Sequence, residues 1–319
     1  MKNDVPGLGR LPDTPRVTVI TMCKDRAWCI SHCVESVLAQ DYPAIEYIVQ
    51  DGASRDNTMA VLQQYGDRIR VFSEPDRGPV DAFHKALDKA TGDVFCMLLS
   101  DERFYDAHVV SRAVEALRQH PHAAAVYGDY RAVDVNYRTI RVEKKRQATF
   151  DEIFCFDAFI SPCAAFVRMD ALNDGSTRTA HLRSYFKVGD YGLWVFIGAR
   201  YPMQYVAGLM ADFMVHGGEI SYELKHCQAY IRDCEETITR FQSETHTSRR
   251  LDALKNRALA RLYLNYGNAL APQHPSEALG LAWRAIRRRP RLILTRTFFG
   301  VLLKSFRLSG LAAVLPRRA

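Results

Sequence analysis

The chain has 319 residues and is 48% hydrophobic, 25% charged and 11% aromatic. Those are globular values, which exclude wholesale disorder, a collagen-like fibre and a disulfide miniprotein, and the length allows two domains. The formal charge is +7, but residues 278–319 hold ten Lys/Arg and no Asp or Glu, so residues 1–277 carry 33 basic against 36 acidic residues.

Residues 1–15 are polar, contain Pro and Gly, and are expected to form a flexible arm. They lack the apolar stretch of a signal peptide, and no run of 18 apolar residues follows, so neither a leader nor a transmembrane helix is expected. Residues 17–21 read as a buried strand. Ile30, Cys33, Val34, Val37 and Leu38 recur at helical spacing. Residues 45–49 are a second strand that closes at Asp51-Gly52, and Asp56-Asn57-Thr58 offers capping chemistry for a helix through Tyr65. A strand over 69–72 and a helix over 79–90, burying Phe83, Leu87 and Ala90, come next. Residues 94–99 form an almost wholly apolar strand, as the middle of a parallel sheet requires. Val109, Val110, Ala113, Val114 and Leu117 mark another helix, and 123–127 another strand. This alternation predicts an α/β fold, a doubly wound, mostly parallel sheet flanked by helices. Residues 131–218 are less regular. Beyond them Leu224, Cys227, Ile231, Cys234, Ile238 and Phe241, then Leu251, Leu254, Ala258 and Leu262, predict a helical C-terminal extension. The eight cysteines include no C-x-x-C pair, which fits buried thiols in a reduced compartment. Trp28, Trp194 and Trp283 are assigned to packing.

Carboxylates stand where predicted strands end. Asp51 closes the second strand, Asp76 and Asp81 flank the turn after the third, and Asp101 and Glu102 follow the most apolar one. One such residue has an ordinary reading as a cap or a wet strand end. Three groups after consecutive strands converge on the ligand edge of a doubly wound sheet. Adjacent carboxylates repel unless a cation lies between them, and hard oxygen ligands suit Mg²⁺ or Mn²⁺ bridging a diphosphate. The chain has no Walker loop and no strand-borne G-x-G-x-x-G.

The ordered set Val17-Thr-Val-Ile-Thr21, Asp51-Gly-Ala-Ser-Arg-Asp-Asn-Thr58, Glu74-Pro-Asp-Arg-Gly78, Asp81-Ala-Phe-His-Lys85, Ala90-Thr-Gly-Asp93 and Leu98-Leu-Ser-Asp-Glu102 resembles the nucleotide-binding half of a family 2 glycosyltransferase of GT-A fold. Val188-Gly-Asp-Tyr-Gly-Leu-Trp194 resembles the stretch bearing that family's catalytic base, and Phe213-Met-Val-His-Gly-Gly-Glu-Ile-Ser221 the segment that closes its catalytic domain. The resemblance implies that Thr21 and Asp51 contact the donor base and that Asp81 and Lys85 help form the nucleotide pocket. It places Asp101 by the ribose and metal, with Glu102 as the metal ligand. It makes Asp190 the general base, and it brings His216 to the diphosphate or metal. Read alone, Asp190 could instead cap the helix that follows, and His216 could sit in a turn beside Gly217. The stretch 159–163 either borders the acceptor or is a core strand. The chain departs from the family in His84-Lys85-Ala86, where Asn-Lys-Gly is frequent, and in Asp101-Glu102, where Asp-Asp is usual. The Gln-x-x-Arg-Trp motif of processive synthases is absent.

The expected organisation is an arm over 1–15, a catalytic domain over 16–220 (nucleotide-sugar half 16–130, acceptor half 131–220) and a helical region over 221–319. The expected activity is metal-dependent, inverting transfer of a hexosyl group from a nucleotide-diphosphate sugar to a hydroxyl of a glycan or lipid-linked acceptor, in cell-surface polysaccharide biosynthesis. Leu279, Ala282, Trp283 and Ile286 share a helical face before Arg287-Arg-Arg-Pro-Arg291. Phe299, Leu302, Leu303 and Phe306 oppose Arg296, Lys304 and Arg307. Such a basic amphipathic tail suits peripheral contact with an anionic membrane through residues 278–319, at the inner face of the cell membrane of a cytoplasmic protein; the alternative is a terminal helix docked on the protein. No nucleic-acid partner is expected. Two other functions stay open: a sugar-nucleotide nucleotidyltransferase, whose Gly-rich phosphate loop is missing after Thr21, and a non-catalytic scaffold.

Overall fold

A computed structural model of the chain describes residues 7–172, 180–185, 187, 189–216, 224–244 and 249–306. The chain divides into two compact units, residues 1–150 with 160–217, and residues 151–159 with 218–319. The division differs from a continuous span over 16–220 in one stretch, since 151–159 group with the C-terminal helices.

The first unit opens with β1 (Val17–Cys23), α1 (Ile30–Leu38), β2 (Ile45–Asp51), α2 (Thr58–Gln63), β3 (Arg70–Ser73), α3 (Pro79–Lys89) and β4 (Val94–Met97). These four strands lie in the order β3-β2-β1-β4, all parallel, with Val17 opposite both Ile45 and Val94. Every residue of β1 and β4 is buried, because helices cover both faces of such a sheet. Next come β5 (Arg103–Phe104), α4 (Val109–Gln119), β6 (Ala125–Val133), β7 (Thr139–Glu143), α5 (Phe150–Phe154), which passes into the second unit from Asp151, and then β8 (Ala165–Arg168), α6 (Ala180–Tyr185), α7 (Tyr191–Gly198) and β9 (Met203–Met214). β8 runs antiparallel between β4 and β6, β9 runs parallel to β6, and β5 pairs antiparallel with β9 to end the order. The irregular middle of the sequence thus holds the strands that complete the sheet. β6 also extends beyond the expected 123–127, because its second half is paired on both sides, by β7 and β9. The apolar stripes of α1 and α4 meet Val19, Val49, Cys96 and Phe166 in one core. All eight cysteines are buried free thiols.

Two sequence features act at the amino edge of this sheet. A Cβ on Gly92 would stand 2.5 Å from Thr18 Oγ1 and 2.8 Å from the Arg16 carbonyl oxygen, so only glycine fits. Thr91 donates its amide to Glu46 at 2.8 Å, and Asp93 accepts the Arg16 amide at 2.8 Å. Ala90-Thr-Gly-Asp93 therefore ties the starts of β1, β2 and β4 together. The expected flexible arm is pinned over its described residues: Gly9 donates to Asp170 at 2.9 Å, its carbonyl accepts from the buried Arg168, and the Pro15 carbonyl accepts from Tyr42 at 2.7 Å. Residues 1–6 lie outside the described part.

The second unit holds α8 (Leu224–Glu244), α9 (Arg249–Leu270), α10 (Pro275–Arg288) and α11 (Arg296–Ser305). α10 and α11 pack on α9 and on each other, burying Ala278, Leu281, Ala282, Ala285, Phe298 and Val301. Residues 151–159 join this unit through Phe154, whose ring lies 5.0 Å from that of Phe241, and through Asp157, which pairs with Arg257 and Arg261. Among the described residues no helix is long and apolar enough to cross a membrane.

Candidate active site

The carboxyl ends of β2, β1 and β4 lie side by side, and the first two loops that leave them are stitched together. Ser54 accepts the Asp25 amide at 2.8 Å, Asp25 accepts the Arg55 amide at 2.7 Å, Thr58 accepts the Arg26 amide at 2.8 Å, and Asp56 accepts the Ala27 amide at 3.0 Å. Asp25 and Ala53 take left-handed backbone, with φ of 53° and 57°, to make these turns. The Asp51–Thr58 string thus fixes a loop pair. Asp51 itself is fully buried and accepts the Ser54 amide at 3.0 Å, the Ser73 hydroxyl at 2.6 Å and the Ser54 hydroxyl. Thr21 is fully buried as well, its hydroxyl 3.1 Å from Tyr47 Oη and 3.5 Å from Cys33 Sγ. The Thr21 side chain is thus committed to the core, and a contact of this position with a donor base would not come through its hydroxyl. β1 is covered on both faces, so each of its side chains enters the core. Asp51, equally buried, spends its carboxylate on Ser54 of its own loop and on Ser73.

The sequence treated Asp76 only as a turn flank. A Cβ on Gly52 would meet Asp76 Oδ2 at 2.3 Å, so the Asp76 carboxyl lies directly over Gly52, with its other oxygen on the Gly78 amide at 2.9 Å. The signal was the glycine after Asp51, which a close approach by a later side chain requires. Asp81 and Lys85 face each other across one turn of α3, 3.6 Å apart. Arg77 donates to Asp81 at 2.9 Å and holds its carboxyl below the usual range. Lys85 donates to the Pro75 carbonyl at 2.6 Å.

After β4 the two adjacent carboxylates part company. Glu102 turns inward, 3% exposed, and accepts the Leu99 amide at 2.7 Å, with the Cys163 thiol as a second neighbour. Burial pushes its carboxyl up to about 8, and the charges of Asp101 and Asp190 push the same way. Asp101 turns outward and lies 2.9 Å from His216 Nε2. Trp28, assigned to packing, is half exposed and meets the His216 ring edge-on at 5.5 Å. Trp283 is exposed too, and only Trp194 is buried.

The pairing of β5 with β9 brings Asp101 and His216 together. Arg103 is in register with Asp212. Asp212 is fully buried and accepts from Arg103 at 2.8 Å and from Arg131 twice at 2.7 Å. This lock holds the residue two before Arg103 against the residue four after Asp212. Removing a buried carboxylate leaves its partners uncompensated. Asp212→Ala should therefore destabilise the fold by about 3–5 kcal/mol in urea titrations. A loss below about 1 kcal/mol would mean that the two arginines repair the gap.

Asp190 occupies the N-cap position of α7, but its backbone is helical and its side chain makes no capping hydrogen bond. The carboxylate instead accepts from Trp194 Nε1 at 3.3 Å, and its charge acts on Glu102. The structure thus gathers Asp101, Glu102, Asp190 and His216. Val188 of the first matched stretch and residues 217–221 of the second lie outside the described part.

Among the described residues no three possible ligands cluster tightly enough to hold a metal ion. Asp101 and His216 fit as a pair. Their 2.9 Å separation is that of neighbouring ligands on an octahedral ion with bonds near 2.1 Å, about 3 Å apart. A carboxylate with an imidazole suits Mn²⁺ or Mg²⁺, the remaining positions falling to diphosphate and water oxygens.

The model of the family described as "Glycosyl transferase family 2" matches residues 18–175. A PGL/p-HBAD biosynthesis glycosyltransferase of Mycobacterium tuberculosis is 27% identical over 128 residues, 39% of this chain and 50% of that protein. An uncharacterized glycosyltransferase of the same organism is 38% identical over 109 residues, 34% of this chain and 42% of that protein. The chain thus spans about half the length of the curated relatives it matches. Among solved structures, residues 1–349 of S. aureus TarS with UDP-GlcNAc superpose with a TM-score of 0.61 at 15% identity, covering 92% of each chain. A Pyrobaculum calidifontis mannosyltransferase with GDP-Man and Mn²⁺ gives 0.50 at 16% identity, covering 95% of this chain and 90% of that one. These likenesses show the fold, an α/β sheet of GT-A type followed by C-terminal helices.

Proposed function

From the premise that this chain belongs to glycosyl transferase family 2 through residues 18–175, we propose that it is an inverting glycosyltransferase. Its donor is a nucleotide-diphosphate hexose, and its acceptor is a hydroxyl of a glycan or lipid-linked molecule in cell-surface polysaccharide biosynthesis. The observation that carries this reading is the meeting of Asp101 and His216 at 2.9 Å, with Asp190 and Glu102 beside them, at the carboxyl edge of the sheet. UDP-GlcNAc and GDP-Man in the fold neighbours support the donor class. A cytoplasmic location, with peripheral contact at the inner face of the membrane through residues 278–319, belongs to the same reading.

In the proposed reaction the donor enters over the loop pair after β1 and β2, with Asp76 above Gly52 and the Asp81–Lys85 pair bordering the pocket. Asp101 and His216, joined by Glu102 once it gives up its proton, would hold Mn²⁺ or Mg²⁺, which when bound would supply positive charge to the departing diphosphate. Asp190 takes the proton from the acceptor hydroxyl as that oxygen attacks the anomeric carbon. One displacement inverts the configuration. The indole N–H of Trp194 fixes the orientation of the carboxylate that receives the proton.

A thermal-shift screen of nucleotide diphosphates and nucleotide sugars with Mn²⁺ tests the reading. A ligand at one hundred times its Kd stabilises the fold by about 2.7 kcal/mol, and the best hit names the donor. In the same assay His216→Ala should need roughly ten-fold more Mn²⁺ for half the shift. Unchanged Mn²⁺ dependence would return His216 to the turn reading. No shift and no donor hydrolysis with any nucleotide sugar would overturn the proposal.

A further inference from the structure

The basic residues of the C-terminal unit surround an apolar tip. α10 and α11 pack on α9 through Ala278, Leu281, Ala282, Ala285, Phe298 and Val301; of the two faces that the sequence offered to a membrane, Ala282 is buried, Leu279, Ile286, Leu302 and Leu303 are half-buried, and Trp283, Phe299 and Phe306 stay exposed. The link between the two helices is outside as well. Residues Pro290–Leu294 form a short 3-10 turn, anchored inward by Leu292 alone. Leu294 is 80% exposed and Ile293 47%. A single exposed aliphatic residue is ordinary; two adjacent ones at a turn with arginines on both sides in the chain are less so. Arg287, Arg288, Arg289 and Arg291 precede this tip, Arg296 follows it, all five are exposed, and no Asp or Glu occurs from 278 onward.

The flanking helices continue the pattern. On α10, Trp283 is 63% exposed one turn before Arg287, on the face opposite the buried alanines. On α11, Phe299 and Phe306 follow Arg296 by three and ten residues, so they lie on its side of the helix and not opposite it as the sequence pattern suggested. Phe306 is 60% exposed. Two exposed apolar residues on a turn, with five exposed arginines before and after them in the chain and exposed aromatics on the adjoining helices, complement an anionic lipid surface.

We infer that the α10–α11 turn inserts Ile293 and Leu294 between the headgroups of an anionic membrane while the surrounding arginines bind those headgroups. This rests on the reading that a lipid-linked acceptor is met at such a surface, and it moves the contact from an amphipathic terminal helix to the turn. The attachment needs no spanning helix and no change in the packing of α9, α10 and α11.

Co-sedimentation of the full chain with vesicles tests it, using phosphatidylcholine alone and an equimolar mixture with phosphatidylglycerol. The full chain should bind the mixed vesicles and leave the neutral ones in solution. Replacing both Ile293 and Leu294 by Ser, two exposed positions whose loss leaves the core intact, should weaken binding at least roughly ten-fold. Arg287→Gln with Arg291→Gln should weaken it and flatten its dependence on salt. If the serine variant binds the mixed vesicles as well as wild type, the contact is charge adsorption and insertion is overturned. No binding by wild type overturns the inference entirely. Donor hydrolysis is measured on the same samples: hydrolysis without vesicle binding leaves the enzymatic reading standing, and vesicle binding without hydrolysis does the reverse.

Discussion

Asp190→Asn should lower turnover by roughly 10²–10⁴-fold, the range a positioned general base contributes, while donor binding and melting temperature stay at wild-type values. The structure separates these two outcomes. Asp190 stands at the N-cap of α7 without capping it, so its carboxylate is not part of the helix's hydrogen-bond account. The bond from Trp194 Nε1 survives substitution, because the amide oxygen of Asn accepts it equally well. The side chain therefore keeps its place and loses only its basicity. Measuring donor affinity by calorimetry beside steady-state turnover checks this. Near-wild-type turnover would take the base role away from Asp190. A fall in melting temperature equal to the loss of a cap would restore the structural reading.

Glu102→Gln should change how stability depends on pH in metal-free protein. Burial lifts the folded carboxyl from 4.5 to about 8. The unfolded chain releases this proton near pH 4.5, whereas the folded chain keeps it to about pH 8. The stability this proton confers is full below the lower value and is lost as pH rises through the higher one, at about 1.4 kcal/mol per pH unit. Glutamine is neutral throughout and its amide oxygen can still accept the Leu99 amide, so the variant should lose none of this stability. Urea titrations across the interval, with chelator present, compare the two proteins. Parallel curves would mean that Glu102 ionises normally despite its burial. Mn²⁺ extends the test: a ligand carboxylate must ionise, so stronger stabilisation of wild type than of the variant assigns Glu102 to the metal. Equal stabilisation leaves the metal to Asp101 and His216.

The first half of the sheet was legible because parallel strands buried on both faces read as apolar runs, and because α1 and α4 carry clean stripes. β8 was not, since four buried residues inserted antiparallel between β4 and β6 have no alternation to betray them. The edge that gathers the site was readable from Asp51, Asp76, Asp81 and Asp101, each at a strand end. Which carboxylates turn outward was not. Thr21 and Glu102 point into protein because of neighbours from distant segments, Tyr47 and Cys163, whose approach no local pattern encodes. The pairing of Asp101 with His216 spans 115 residues of sequence and depends on the Arg103–Asp212–Arg131 lock. Trp28 was misjudged by a rule about composition, since tryptophan is buried on average but not at this edge.

Residues 151–159 bear on how the protein is made and cut. The chain leaves the sheet at Phe150, contributes Phe154, Cys155 and Asp157 to the helical unit, and returns to the sheet from Ile160. During synthesis that excursion emerges long before α8 and α9 exist to receive it, so Phe154 and Cys155 wait in solvent until the C-terminal helices arrive. Severing the chain at residue 217 would strand the same two apolar groups permanently. A version shortened there would carry Phe154 and Cys155 without the helices that bury them.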